Sequence, residues 1–138
     1  MTDARVGVLH HVELWVPDLD RAVAEWGWLL GRLGHEVFQD WPGGRSWRLG
    51  STYLVVERSP DQLGEAHERC RPGLNHLAFH AGERAAVDAL VGAGPAHGWA
   101  PMFAERYPWA GGPEHYAGYL ENSDGFEVEL VARSAGNS

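Results

Sequence analysis

From Leu9 to Val16 the chain alternates, with His11, Glu13 and Trp15 on one side and Val12, Leu14 and Val16 on the other. A period of two predicts a strand. Its apolar even positions should pack on a helix, leaving the odd set to face something else. Pro17-Asp18 breaks the strand, and Asp18 is a helix N-cap with Asp20 near the positive end of the dipole. Leu19, Ala22, Val23, Trp26, Leu29, Leu30 and Leu33 then fall along one helical stripe, and Gly34 is placed to stop it. Strands are predicted over Glu36 to Trp41, ended by Pro42-Gly43-Gly44, and over Ser46 to Leu49 and Thr52 to Glu57, paired across Gly50-Ser51.

The same order returns. Leu74 to His80 predicts a strand, Glu83 to Val91 a short helix and Ala100 to Glu105 a strand. Tyr116 to Glu121 and Phe126 to Ala132 predict a hairpin, turned at Asp124-Gly125. Leu9-His10-His11-Val12-Glu13-Leu14-Trp15 is thus answered by Leu74-Asn75-His76-Leu77-Ala78-Phe79-His80, and His11 to His76 is an interval of 65 residues. The fold class is therefore α+β, with two tandem βαβββ modules. Residues 1–138 form one domain: a first module over about 7–58, a polar linker over about 59–73 and a second module over about 74–133. The second module is longer by about ten residues, mostly in Arg106 to His115. This aromatic, glycine-hinged insertion reads as a lid beside a site.

Charge and composition narrow the partners. Eleven Lys and Arg against nineteen Asp and Glu give a net charge of −8, and no basic cluster interrupts it, so no nucleic acid is expected. Cys70 is the single cysteine, which excludes an internal disulfide. The N-terminus lacks a signal-peptide apolar run and no stretch approaches membrane-spanning length, so the expected location is cytoplasmic, with no membrane partner. Seven tryptophans serve either as rings around a cavity or as core filler.

His11 and His76 hold equivalent places in the first strands of the two modules, and Glu129 sits in the last strand, four residues after Gly125. Two imidazoles and a carboxylate suit a borderline divalent ion and leave positions open for water and substrate oxygens. The expected metal set is His11, His76 and Glu129, with Glu129 also the catalytic position. Glu13 and His80 share strand faces with His11 and His76 and are expected to meet substrate, as is Tyr116 beside the lid. Matching Arg58-Ser59 to Arg133-Ser134 makes Leu54 the counterpart of Glu129 and puts Glu57 on the opposite strand face, where it stays an alternative fourth ligand. His10 is expected to be structural, and His35, His67, His97 and His115 show no partner pattern.

At these residues the chain resembles the vicinal oxygen chelate superfamily, which includes glyoxalase I, fosfomycin- and bleomycin-resistance proteins, methylmalonyl-CoA epimerase and extradiol dioxygenases. The resemblance spans about Leu9 to Ala132. It rests on the strand at Leu9–Val16, on Trp26-Gly27-Trp28-Leu29-Leu30-Gly31-Arg32-Leu33-Gly34, on Gly73 to Phe79 and on Asp124 to Val131. It implies a curved, barrel-like mixed sheet with helices outside and modules paired within one chain or across a homodimer. It also implies one divalent metal ion per site (Zn, Ni, Mn or Fe(II)), acting as lyase, isomerase, transferase or dioxygenase centre on a small-molecule substrate that chelates through adjacent oxygens. The family's fourth ligand falls near Leu54, which moves the site away from glyoxalase I and the epimerase and toward three-ligand members. The alternative is a metal-free protein that sequesters an antibiotic or another cationic aromatic compound.

Overall fold

The computed structural model describes residues 3–134. The described residues fall into two compact units, divided between Glu65 and Ala66.

In the first unit, β1 (His11–Trp15) leads through Pro17-Asp18 into α1 (Leu19–Arg32), followed by β2 (Glu36–Trp41), β3 (Gly44–Leu49) and β4 (Thr52–Glu57). The sheet order is β1-β4-β3-β2, with β1 parallel to β4 and the remaining pairs antiparallel. Asp18 caps α1 by accepting the Arg21 backbone N–H at 2.9 Å. Gly34, at φ 94°, carries the chain out of the helix in the left-handed region that a Cβ disfavours. Ala22, Trp26, Leu29 and Leu30 are buried on one face of α1, and Leu14, Val16, Trp47, Leu54 and Val56 are buried in the sheet. The alternation read in β1 therefore has its stated consequence: the even positions are core and His11, Glu13 and Trp15 lie opposite.

The second unit repeats the plan with β5 (His76–His80), α2 (Arg84–Ala93), β6 (Ala100–Met102), β7 (Ala117–Glu121) and β8 (Glu127–Val131), in the order β5-β8-β7-β6. Again the first and last strands are parallel. Val87 and Leu90 of α2 join Trp99, Leu120, Val128 and Leu130 in the core. β6 is shorter than expected. It stops at Met102 because Phe103 turns to φ 55° and a 3-10 turn follows over Ala104–Arg106. Trp26, Trp47 and Trp99 are buried, so these three tryptophans fill cores. No helix among the described residues is long and apolar enough to cross a membrane.

One glycine of the first hairpin is fixed by packing. Gly44 is buried, and a Cβ there would lie 2.5 Å from the Trp41 indole and 2.7 Å from the Val56 carbonyl oxygen. The carbonyl belongs to the paired strand and cannot yield as a flexible side chain would. Gly44→Ala should cost about 1–3 kcal/mol, read as a lower urea midpoint at unchanged m-value.

Candidate functional site

In the second unit the parallel ladder pairs His76 with Glu127 and Ala78 with Glu129, and the β7–β8 ladder pairs Tyr119 with Glu129. Cross-strand partners share a face, so His76, His80, Tyr119, Glu127 and Glu129 all lie opposite the α2-packed core. Glu129 is only 8% exposed, and a buried carboxylate needs its charge answered. His76 Nε2 lies 3.1 Å from one carboxylate oxygen, and the Nε2 of His115 meets the other. The Tyr119 phenol stands beside Glu129 as its cross-strand partner. Burial first, then the charge of Glu129, pushes the Tyr119 phenol up to about 12, so this group stays a hydrogen-bond donor at neutral pH.

The orientation of His76 is set from outside the sheet. Its Nδ1 lies 2.7 Å from Asn75 Oδ1, while Asn75 Nδ2 donates to the Arg69 carbonyl at 3.0 Å. That second bond fixes which end of the amide faces the ring, so Nδ1 carries the proton. Nε2 is thereby left facing a carboxylate oxygen, an arrangement that is favourable with a proton or a cation between them. Arg69 also places its guanidinium 3.3 Å from Glu127 and 3.6 Å from Glu121. One arginine of the expected linker thus steadies the site through its backbone and answers two neighbouring carboxylates through its side chain.

His115 arrives on the insertion after β6. The loop is wound by successive backbone bonds: Trp109 N–H to Arg106 O at 2.7 Å, Gly112 N–H to Trp109 O at 3.1 Å and His115 N–H to Gly112 O at 3.3 Å. Gly111 lies against the site, where a Cβ would come within 2.6 Å of both His115 Cδ2 and the Tyr119 hydroxyl. An open depression of about 580 Å³ runs along Gly111 to His115. The sequence offered His115 no partner; its link to Glu129 exists only through this loop path.

Tyr116, expected to meet substrate, is turned away from that face. Its hydroxyl donates to Asp88 on α2 at 2.6 Å, and the Tyr107 hydroxyl donates to the same oxygen. The two phenols hold the Asp88 carboxyl below the usual carboxylate range. Burial and then Asp88 push Tyr107 up, and the Asp88 bond does the same to Tyr116. The Arg84 guanidinium covers the rings of Tyr116 and Trp109 at 4.8 and 5.5 Å. Tyr119 is the tyrosine that reaches Glu129.

In the first unit, His11 stacks on Tyr53 at 4.9 Å with the rings 7° from parallel, and its Nδ1 lies 2.9 Å from His10 Nδ1. His10, expected to be structural, thus bonds the neighbouring imidazole from just ahead of β1. A cavity of about 620 Å³ opens beside these rings, lined by residues including His10, Phe38, Arg48 and Tyr53. Glu13 accepts the Trp15 indole N–H at 2.7 Å. The β1–β4 register pairs Glu13 with Val55 and Trp15 with Glu57. Set beside the pairing of Ala78 with Glu129, it makes Val55, not Leu54, the counterpart of Glu129. It also corrects the side assigned to Glu57, which shares the His11–Glu13 face. The Arg-Ser match that suggested Leu54 is out of step by one residue. Val55 carries no donor atom.

Among the described residues, no group of three or more His, Cys, Asp and Glu side chains stands spaced as a preformed ion cage. His76 and His115 close directly on Glu129 instead. The donor chemistry nonetheless fits a divalent ion. Bonds of about 2.0–2.2 Å to nitrogen and oxygen put neighbouring ligands ~3 Å apart, the separation His76 and Glu129 already have.

Two βαβββ modules in tandem define a class of fold, and comparison with known proteins gives its name. The model of the glyoxalase/bleomycin resistance protein/dioxygenase superfamily matches residues 10–119. The chain belongs to that superfamily. It is 42% identical over 127 residues to the uncharacterized protein YqjT of Bacillus subtilis, covering 91% of this chain and 99% of that protein. The crystal structure of a candidate glyoxalase from Bacillus halodurans is 44% identical with a TM-score of 0.88, covering 93% of this chain and 97% of that one. The lactoylglutathione lyase of Agrobacterium tumefaciens, at 20% identity and a TM-score of 0.63, covers 91% of this chain and 92% of its own and shares the fold.

Burial, then the hydrogen bond and charge of Glu13, raises the Glu57 carboxyl above its ordinary value near 4.5. A raised acid binds its proton more tightly folded than unfolded, so stability falls as pH rises from about 4.5 through the folded pKa. Glu57→Gln should therefore raise the thermal midpoint at pH 7 and leave it unchanged near pH 3. Melting curves at both pH values check the sign.

Proposed function

We infer that the protein is a metal-dependent enzyme of its superfamily, acting on a small molecule that presents two adjacent oxygens to a divalent ion. The observation that carries this reading is the tautomer of His76. Asn75 Oδ1 accepts a hydrogen bond from Nδ1–H, and Nε2 is aimed at a buried carboxylate. A strand-held His and Glu of this kind are ligands ready for an ion of the Zn, Ni, Mn or Fe(II) group. His11 is the third donor that the resemblance assigns. A bound ion would supply Lewis acidity toward an oxyanion formed on the substrate.

The remaining work falls to side chains. Tyr119, held as a phenol, can donate a hydrogen bond to a substrate oxygen beside Glu129. His80 and Glu13 stand on the strand faces of His76 and His11 and are the groups proposed to bind substrate or move a proton. Tyr116 serves the loop through Asp88, and its proposed contact with substrate needs that bond to open. The excess negative charge favours neutral or cationic substrates at long range.

Metal analysis of protein prepared without chelators should find about one ion per chain, whose identity the same measurement reports. His76→Ala and Glu129→Ala should each lose most of it, and His11→Ala should lose it as well. Turnover against a panel of thiol adducts of 2-oxoaldehydes, fosfomycin and catechols should appear only in loaded protein. Wild type that stays empty after exposure to Zn, Ni, Mn and Fe(II), while binding a panel compound unchanged, would sink the enzyme reading and leave sequestration.

A further inference from the structure

The geometry points to His115 as a loop-borne ligand of the same ion, completing with His76 and Glu129 a donor set built within the second unit. This inference rests on the metal reading above and adds a ligand that strand symmetry does not supply.

Three observations carry it. Glu129 offers two oxygens, and each already faces the Nε2 of a different histidine, His76 on one and His115 on the other. Two imidazole nitrogens therefore address the two oxygens of one carboxylate, and an ion drawn to it would take the place of these direct contacts. Imidazole and carboxylate donors suit Zn, Ni and Fe(II) alike. The strand position equivalent to Glu129 in the first unit is Val55, which has no lone pair to give. A donor beyond the strand residues His11, His76 and Glu129 would come from a loop, and His115 is the loop residue on Glu129.

The ring is also delivered rather than loosely placed. Tyr107 and Tyr116 bracket the loop, and both hydroxyls end on the same Asp88 oxygen of α2. Arg84 lies over Trp109 and Tyr116, closing the loop against the helix. Between these ties the chain is hydrogen-bonded turn by turn, with Ala117 N–H donating back to Pro108 O at 3.1 Å. Gly111 passes so near the His115 ring that a side chain there would strike it, which limits the directions the imidazole can take. A solvated surface histidine needs none of this. Asp88 is accordingly a positioning residue, acting on the ion through the loop.

The test uses the full chain and titrates Ni(II) and Zn(II) calorimetrically, with Co(II) absorption as a second readout of the ligand set. Wild type should bind one ion. His115→Ala should weaken binding by about tenfold or more and alter the Co(II) bands, as losing an imidazole ligand requires. His115→Gln keeps a hydrogen-bond donor for Glu129 but no imidazole nitrogen, and it should behave like the alanine variant while melting like wild type. His97→Ala, which alters a histidine outside the site, should titrate as wild type. Asp88→Leu should weaken the ion by a few fold with the Co(II) bands shifted, and Asp88→Asn, which keeps an acceptor oxygen, should recover most of that loss. Both His115 variants binding within twofold of wild type with unchanged Co(II) bands would overturn the inference and leave the metal reading standing. A wild type silent toward every ion would end both.

Discussion

A carboxylate set almost out of water on the last strand of the second unit has to be compensated, and that demand organises its surroundings. Glu129 takes a histidine from the neighbouring parallel strand, a tyrosine from the antiparallel one and a second histidine from a loop. Removing water raises the cost of an unpaired charge and the strength of each partner contact together. The parallel pairing of β5 with β8 makes this feasible, because it puts His76 and Glu129 on one face with their side chains leaning together.

Around that centre lies a supporting ring whose members never touch Glu129. Asn75 fixes the His76 tautomer, the Arg69 carbonyl fixes Asn75, and the Arg69 guanidinium offsets Glu121 and Glu127. On the far side Asp88 gathers two tyrosines that fasten the insertion. The two arms share no residue, yet both end at the same carboxylate. Such division lets a scaffold keep its βαβββ core while the loop and linker adjust the chemistry offered to a ligand.

The two modules use one plan for different ends. Where the second places Glu129, the first places Val55, and the first unit's acidic side chains, Glu13 and Glu57, crowd each other instead. Its strand histidine, His11, stacks on Tyr53 rather than meeting a carboxylate within its own unit. The two modules share the backbone plan and the helix-facing apolar positions, which packing constrains, and differ on the opposite face.

Local patterns along the chain determined most of the elements, though not the end of β6 or the start of β3. The helical stripe of α1, its Asp18 cap, the limits of β2 and β4 and the Gly50 and Gly125 turns were legible because each depends on neighbours within a few residues. The repeat likewise exposed His76 and Glu129, since alternation in a strand says which residues share a face. Tertiary structure alone decided what lay across longer intervals. His115 reaches Glu129 by a loop whose path depends on Asp88, a residue on another element, and no local pattern marks that pairing. The one-residue correction from Leu54 to Val55, which moved Glu57 to the His11 face, came from a hydrogen-bonded ladder and not from an Arg-Ser match beyond the strand ends. Local patterns carry backbone conformation; the register of strands and the destination of a loop are fixed by contacts between residues far apart in the chain.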